Sequence, residues 1–273
     1  MKNSILLLAV VCLSLTASAQ EKEWRIALHV DPNMSWIKPD SKFIEQGGNK
    51  IRFGYGIMID KMFTDNYAFG TGLNILQNGG ELSYLFNTLY MKDGAANSSE
   101  VIANLQRSYK LQYLEVPLTL KLRTNEIGYI TYWAQFGLGL SANIRARADD
   151  EITYVRERFI TVDDPATADI DESEDKWDIT SIKAVTSEDE DIKDDVKLFR
   201  SSLIIAAGIE YNLSGNSSIL AGVTFNNGFS NVLNNKGVKL DSAGNPEIYN
   251  KKPQLFDLKA INNFVSLNVG FMF

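Results

Sequence analysis

The chain closes on Val265-Ser266-Leu267-Asn268-Val269-Gly270-Phe271-Met272-Phe273, and these residues alternate. Val265, Leu267, Val269, Phe271 and Phe273 fall on one side of an extended backbone; Ser266, Asn268, Gly270 and Met272 fall on the other. A period of two is that of a β-strand with one apolar face. In a soluble antiparallel sheet that face turns to a core and the polar face to water. The alternative is an apolar face against lipid, and the neighbouring segments decide between the two.

Seven further stretches show the same alternation. They centre on Trp24–Val30, Arg52–Asp60, Tyr67–Ile75, Tyr113–Arg123, Ile130–Ser141, Ser202–Leu213 and Ile219–Asn226. Three of the joins between them are short and polar: Thr64 to Asn66, Thr124 to Gly128 and Ser214 to Ser217. The other four are long, running over Asp31 to Lys50, Asn78 to Ser108, Ala146 to Arg200 and Ser230 to Asp257. Long and short joins alternate, so an up-and-down sheet carries all long connections at one end and all tight turns, with both chain termini, at the other. That asymmetry is the layout of an eight-stranded antiparallel transmembrane β-barrel with long extracellular loops and short periplasmic turns.

Two further features agree. Phe63, Tyr67, Tyr129, Tyr132, Tyr211, Phe271 and Phe273 gather near the tight turns, as an interfacial aromatic girdle does. Gly54, Gly56, Gly70, Gly72, Gly137, Gly139, Gly208, Gly222 and Gly270 share the polar face, which suits a lumen barely wide enough for side chains. A lipocalin-like soluble barrel would put the apolar side chains inside and leaves the glycines on the polar face unexplained.

The amino-terminal residues read as an export signal over 1–19: Lys2, an apolar run from Ile5 to Leu15, and Ala17-Ser18-Ala19 as cleavage site. The mature domain is then 20–273. The apolar run is shorter than the roughly 20 residues of a helical span. Cys12, the one cysteine, lies in that run and leaves the mature chain without disulfides or thiolate-held metals. The net charge of −7 conceals a division: Asp149 to Asp195 holds 18 acidic and 5 basic residues, leaving 16 acidic and 22 basic elsewhere. No basic stripe with interleaved aromatics marks a nucleic-acid surface.

Tyr113-Leu114-Glu115-Val116-Pro117-Leu118-Thr119-Leu120-Lys121 resembles the Y-L-E-[IV]-P-L-x-x-K signature of the PorT-like family of outer-membrane β-barrels. Gly70-Thr71-Gly72-Leu73 to Gly80 and Phe136-Gly137-Leu138-Gly139-Leu140 are similar to further family stretches. The first strand, Ile26 to Asp31, departs from the family's glycine-rich pattern, and the Asp149 to Asp195 insertion is longer than expected. The resemblance implies an outer-membrane barrel; the family's namesake belongs to the type IX secretion machinery.

Candidate chemistry is sparse, and no catalytic, cofactor-binding or metal residue is assigned. His29 is the one histidine, inward beside Arg25 and Ala27, and no G-x-S-x-G nucleophile accompanies it. The glycine pairs lack the helix and Gly-Lys-Ser/Thr of a phosphate loop. Glu115, Glu210, Arg52, Lys121 and Arg123 are expected as one inward charged set that fills the lumen rather than a glycosidase pair. Pro117 falls mid-strand and predicts a bulge. Asp169 to Asp175 starts like a calcium loop but has Glu174 and Thr180 where glycine and glutamate belong, which favours a solvated acidic loop over 146–200.

The sequence thus supports a non-enzymatic envelope barrel, with a narrow porin-like channel and a lipid-modifying enzyme using His29 as alternatives. Expected partners are outer-membrane lipid and lipopolysaccharide, and proteins that engage Asp149 to Asp195, where Tyr154, Phe159, Ile160, Trp177, Ile179 and Ile182 stand among the charges.

Overall fold

Period-two alternation becomes eight long strands: β1 (Trp24–Pro39), β2 (Lys50–Thr64), β3 (Tyr67–Tyr90), β4 (Ser99–Arg123), β5 (Ile130–Phe159), β6 (Phe199–Ser214), β7 (Ser217–Gly228) and β8 (Ala260–Met272). This computed structural model describes residues 24–90, 99–159, 176–180, 185–215, 217–241, 246–249 and 252–273. The signal segment with Cys12, the Asp169 to Asp175 motif, Ile160 and Ile182 lie outside them. Each strand pairs antiparallel with its neighbours in sequence, and β8 pairs β1 through Val30↔Val269 and Ala27↔Met272 to close the ring. Among the described residues no helix is long and apolar enough to cross a membrane; the strands do so.

Tight turns follow from local chemistry. Gly128 and Gly215 adopt φ of 67° and 60°, the left-handed region that a side chain disfavours. Asn66 clamps the β2–β3 turn by donating from Nδ2 to the Arg123 carbonyl at 3.0 Å. Trp24, Phe63, Gly215 and Phe273 line one mouth together, so the first described residue and the chain end share the turn end.

The faces are those read from the terminal strand. Leu267, Val269 and Phe271 are exposed, while Ser266 and Met272 are buried. On β4, Leu114 to Leu122 present five alternate apolar side chains outward. Tilted, that run matches the ≈25 Å apolar band of an outer-membrane barrel. Phe63, Tyr67, Tyr129, Tyr132, Tyr211 and Phe271 are all exposed near the turns, with Tyr129 and Tyr211 rings 6.2 Å apart.

The long connections are shorter than expected because strands invade them. β3, β4 and β5 contain 24, 25 and 30 residues, more than twice the 9–11 that cross a bilayer. The stretch 146–200, expected as a loop, begins as fourteen further residues of β5, against which the short strands Lys176–Thr180 and Val185–Asp191 pair. Likewise β1 continues to Pro39, and β3 and β4 fill most of 78–108.

The physical reason is an inversion. Past the band, the outward face of β3 turns from Leu73 and Ile75 to Gln77, Glu81 and Ser83, and that of β4 from Leu114 to Gln112, Lys110 and Ser108. Inward positions become apolar at the same level: Leu76, Leu82 and Tyr84 on β3, and Leu111, Tyr109 and Leu105 on β4. On β5 the change coincides with a register shift opposite Gln112/Tyr113, which leaves Ile144 as the extra residue. The barrel therefore continues beyond the lipid as a water-facing one with an apolar core.

Pro117 makes no bulge. The β3–β4 ladder passes from Thr71↔Leu118 to Asn74↔Glu115, omitting the positions opposite Val116 and Pro117 with register unchanged, and Pro117 pairs Gly139 in register on the other side. The missing donor interrupts the ladder without adding a residue.

Leu138 is 47 % exposed on the band and Gln135 is buried inward. Leu138→Arg is expected to destabilise folding in bilayers by about 2–4 kcal/mol. Gln135→Asn should be mild, and Gln106→Arg, outward on β4 beyond the band, should change stability by less than about 0.5 kcal/mol. Urea titration followed by heat-modifiable gel migration measures all three; equal costs at Leu138 and Gln106 would refute the boundary.

Candidate functional site

The lumen is the concave feature on which the sequence-derived candidates converge, and it is filled in tiers. At the turn end Lys121 Nζ donates to Asp60 Oδ2 at 2.7 Å and sits 2.9 Å from Glu210 Oε1. Glu210 Oε2 also accepts from Arg25 at 2.6 Å and Arg123 at 2.7 Å. Five strands meet there: β1 brings Arg25, β2 Asp60, β4 Lys121 and Arg123, β6 Glu210, and β5 the Trp133 ring, whose centroid is 5.2 Å from the Lys121 ammonium. Lys121 is wholly buried, so removing either sign would leave uncompensated charge.

Trp133 explains two of the inward glycines. A Cβ at Gly222 would come within 2.5 Å of its ring, and one at Gly208 within 2.7 Å of the ring and closer still to the Ala221 carbonyl on the neighbouring strand. Below the charge cluster a vestibule of about 640 Å³ opens at the turn end between Arg25, Arg123, Glu126 and Thr131.

The middle tier holds the single histidine. His29 Nδ1 lies 2.8 Å from Asp31 Oδ2, Asn268 donates to Asp31 Oδ1 at 2.7 Å, and Thr224 donates to Asn268 at 2.6 Å. Among the described residues His29 Nε2 has no hydrogen-bond partner. Opposite, Arg200 donates from Nη2 to Asn226 and to the Asn262 carbonyl at 2.9 Å, with Nη1 3.7 Å from Glu115. Its guanidinium lies 5.9 and 5.8 Å from the Tyr113 and Phe264 ring centres. Ser141 donates to Glu115 at 3.2 Å. The space left between His29, Asp31, Glu115 and Gln135 is about 50 Å³, the scale of ordered water rather than of a substrate.

The top tier is apolar. Ile37, Leu82, Tyr109 and Leu111 pack against Ile192, Val232, Leu233 and Leu258, which the connections fold inward over the mouth. Arg107 fastens this lid with a two-pronged bond to Asp150 at 2.8 and 2.7 Å and a further bond to Asp195. Burial pushes the Tyr109 and Tyr84 phenols up, so both remain neutral, and Tyr84 Oη accepts from Asn235 Nδ2 at 3.0 Å.

The charged set expected as one divides into three. Glu210 with Lys121 and Arg123 forms the turn-end cluster, Glu115 belongs with Arg200, and Arg52 lies at an outer groove with Lys110, Arg145 and Arg147. Asp60 closes the inward face of the stretch Arg52–Asp60 but stands outside the charged set expected from sequence, and Asp31 and Arg200 join the inward parity of their strands when it is continued one and two positions. Glu188 to Asp191 lie on a strand paired with β5 rather than on a free loop. Among the described residues no group of three His, Cys, Asp or Glu side chains is disposed to hold a metal.

No curated protein sequence matches the chain. Solved structures with a similar course include the attachment invasion locus protein Ail of Yersinia pestis (12 % identity, 92 % of this chain and 99 % of that one, TM-score 0.33). OprG of Pseudomonas aeruginosa (12 %, 92 % and 95 %, TM-score 0.40) and the outer membrane protease OmpT of Escherichia coli (9 %, 93 % and 97 %, TM-score 0.33) are also similar. At these identities and scores, none of the three assigns a role. Residues 18–234 match the family profile described as outer membrane protein beta-barrel domain. With its lipid-facing apolar band and ring of eight strands, the chain belongs to that family of outer-membrane barrels.

Proposed function

We propose that this barrel is a non-enzymatic interaction component of the envelope whose working surface is the part of β3–β5 beyond the apolar band, with the strands that pair there. The observation that carries this reading is the filled lumen: among the described residues a charge cluster at the turn end, an arginine tier above it and an apolar lid occupy it, and the space left in the middle tier is about 50 Å³. Function then falls to surfaces. The long-connection end is read as extracellular, so its acidic strand Val185–Asp191 and the β5 hairpin face the outside. The PorT-like resemblance supports one such assembly, the type IX secretion machinery, and the polar rim above the band supports contact with lipopolysaccharide.

The channel alternative requires the tiers to open, and the lipid-modifying alternative requires a nucleophile beside His29. Buried Lys121 and the Asp31-bound imidazole favour neither. Purified protein in planar bilayers is expected to give no stable single-channel steps, and reproducible steps would restore the pore. Lys121→Met should lower stability by about 3–5 kcal/mol by stranding Asp60, while Glu210 keeps Arg25 and Arg123, read by urea titration.

The partner test follows from the pairing. Ile152↔Val185 closes the base of the β5 hairpin, while Asp150, Ile192 and Asp195 serve the lid. Replacing residues 153–184 by a short Gly-Ser turn is expected to leave a heat-modifiable barrel and to abolish co-purification of proteins that accompany the intact chain from mild detergent. A folded barrel that keeps those partners would move the function to the turn end.

A further inference from the structure

The inversion of faces leaves a distinctive feature on the outer wall. Directly above the last outward apolar residues, Ile75 on β3, Leu114 on β4 and Ile144 on β5, the next outward residues are Gln77, Gln112 and Arg145. One further step along β4 and β5 brings Lys110 and Arg147, and Arg52 reaches the same place from the start of β2. These side chains, together with Leu111 and the acidic Asp189, line a groove of about 220 Å³. Four cations converge at one level of the barrel, on the line where lipid gives way to water.

Their present partners leave donors to spare. Lys110 holds Asp149 at 2.6 Å and Arg147 Nη1 donates to the Asp189 carbonyl at 3.1 Å, but the Arg145 and Arg147 forks stand 3.6 Å from the Asp189 and Asp191 carboxylates with much of each pair in solvent, a geometry that contributes little. Each guanidinium carries five N–H groups in a planar fork suited to phosphate oxygens. Arg52 adds a buried Nε with no hydrogen-bond partner among the described residues. Beneath the cations the wall is continuous apolar surface, with Leu73, Val116, Leu118 and Leu140 exposed.

We propose that this groove binds the phosphate groups of a multiply acylated, phosphorylated lipid, its acyl chains lying down the β3–β5 wall. Charge alone would suit any soluble anion; the apolar surface immediately below selects an amphiphile. Cations at the lipid–water boundary meet a headgroup at the depth where it resides, so the bound lipid gives up none of its bilayer position. Assignment to the outer leaflet rests on the proposed outward orientation of the long connections; binding itself does not.

The test uses the full chain purified in detergent, with bisphosphorylated lipid A as probe, titrated by native mass spectrometry. R145Q/R147Q is expected to bind at least about tenfold more weakly, the loss of one or more charge-assisted hydrogen bonds. K38Q/K236Q, which removes two exposed lysines away from the groove, should bind as the parent does, and lipid A stripped of phosphate should lose as much as the arginine variant does. Should R145Q/R147Q fail to show heat-modifiable folding, R52Q/K110Q carries the same expectation. Undiminished binding in the folded variant, or by the dephosphorylated lipid, would overturn the proposal. Inorganic pyrophosphate binding as tightly as lipid A would show a soluble-anion site instead. Protease cleavage within 185–191 on intact cells reports orientation separately, so an inverted barrel and an empty groove give different results.

Discussion

Lipid offers no hydrogen bonds, and that single constraint organises the molecule. Every backbone N–H and C=O within the apolar band must find a partner in the chain itself, and a sheet can achieve this only by having no edge. Here the obligation falls on the seam between β8 and β1, the two strands most distant in sequence. Ile26 and Phe273 exchange backbone bonds of 2.9 Å in both directions at its end. Until that seam forms, two strands carry open edges into hydrocarbon. The up-and-down order, the tight turns and the strict outward apolar pattern all serve the closed ring.

Closure at eight strands then creates a second problem, because the interior is narrow and yet its walls must be polar relative to the outside. The chain meets it by pairing charges and by matching size. Glu210 accepts from three cations, Arg200 lies between Tyr113 and Phe264, and Trp133 occupies space that glycines on β6 and β7 leave open. Such networks add little net stability compared with apolar packing, but each is intolerant of losing one member. The lumen is best understood as a solid polar core that joins all the strands.

Beyond the band the same strands reverse their logic. Water outside now demands polar outward residues, and the interior becomes the apolar core of a small soluble barrel, closed by segments around Ile192, Val232 and Leu258. One continuous sheet thus passes between two solvents, with the extra residue Ile144 on β5 marking the passage. The boundary leaves an outer rim where cations stand over apolar wall, and above it an acidic arm paired to β5. Both features lie on the outer side of the barrel wall.

The sequence by itself determined the eight strands, their faces, the alternation of tight and long joins, and so the membrane barrel. Those properties depend on local period-two patterning and on turn residues such as Asn66, Gly128 and Gly215. It did not disclose how far the strands run, because a search for apolar-outward alternation ends where the pattern inverts at Ile75, Leu114 and Ile144. Nor did it pair the charges. Glu115 and Glu210 have the same inward parity, and only the register and stagger of β4, β5 and β6 decide that one meets Arg200 and the other Lys121. Arg52 reads as a lumen residue by parity, yet it lies so near the start of β2 that its side chain takes part in the outer groove. Tertiary structure decided these matters because a contact between distant strands depends on how the whole ring closes, which no single stretch of alternation encodes.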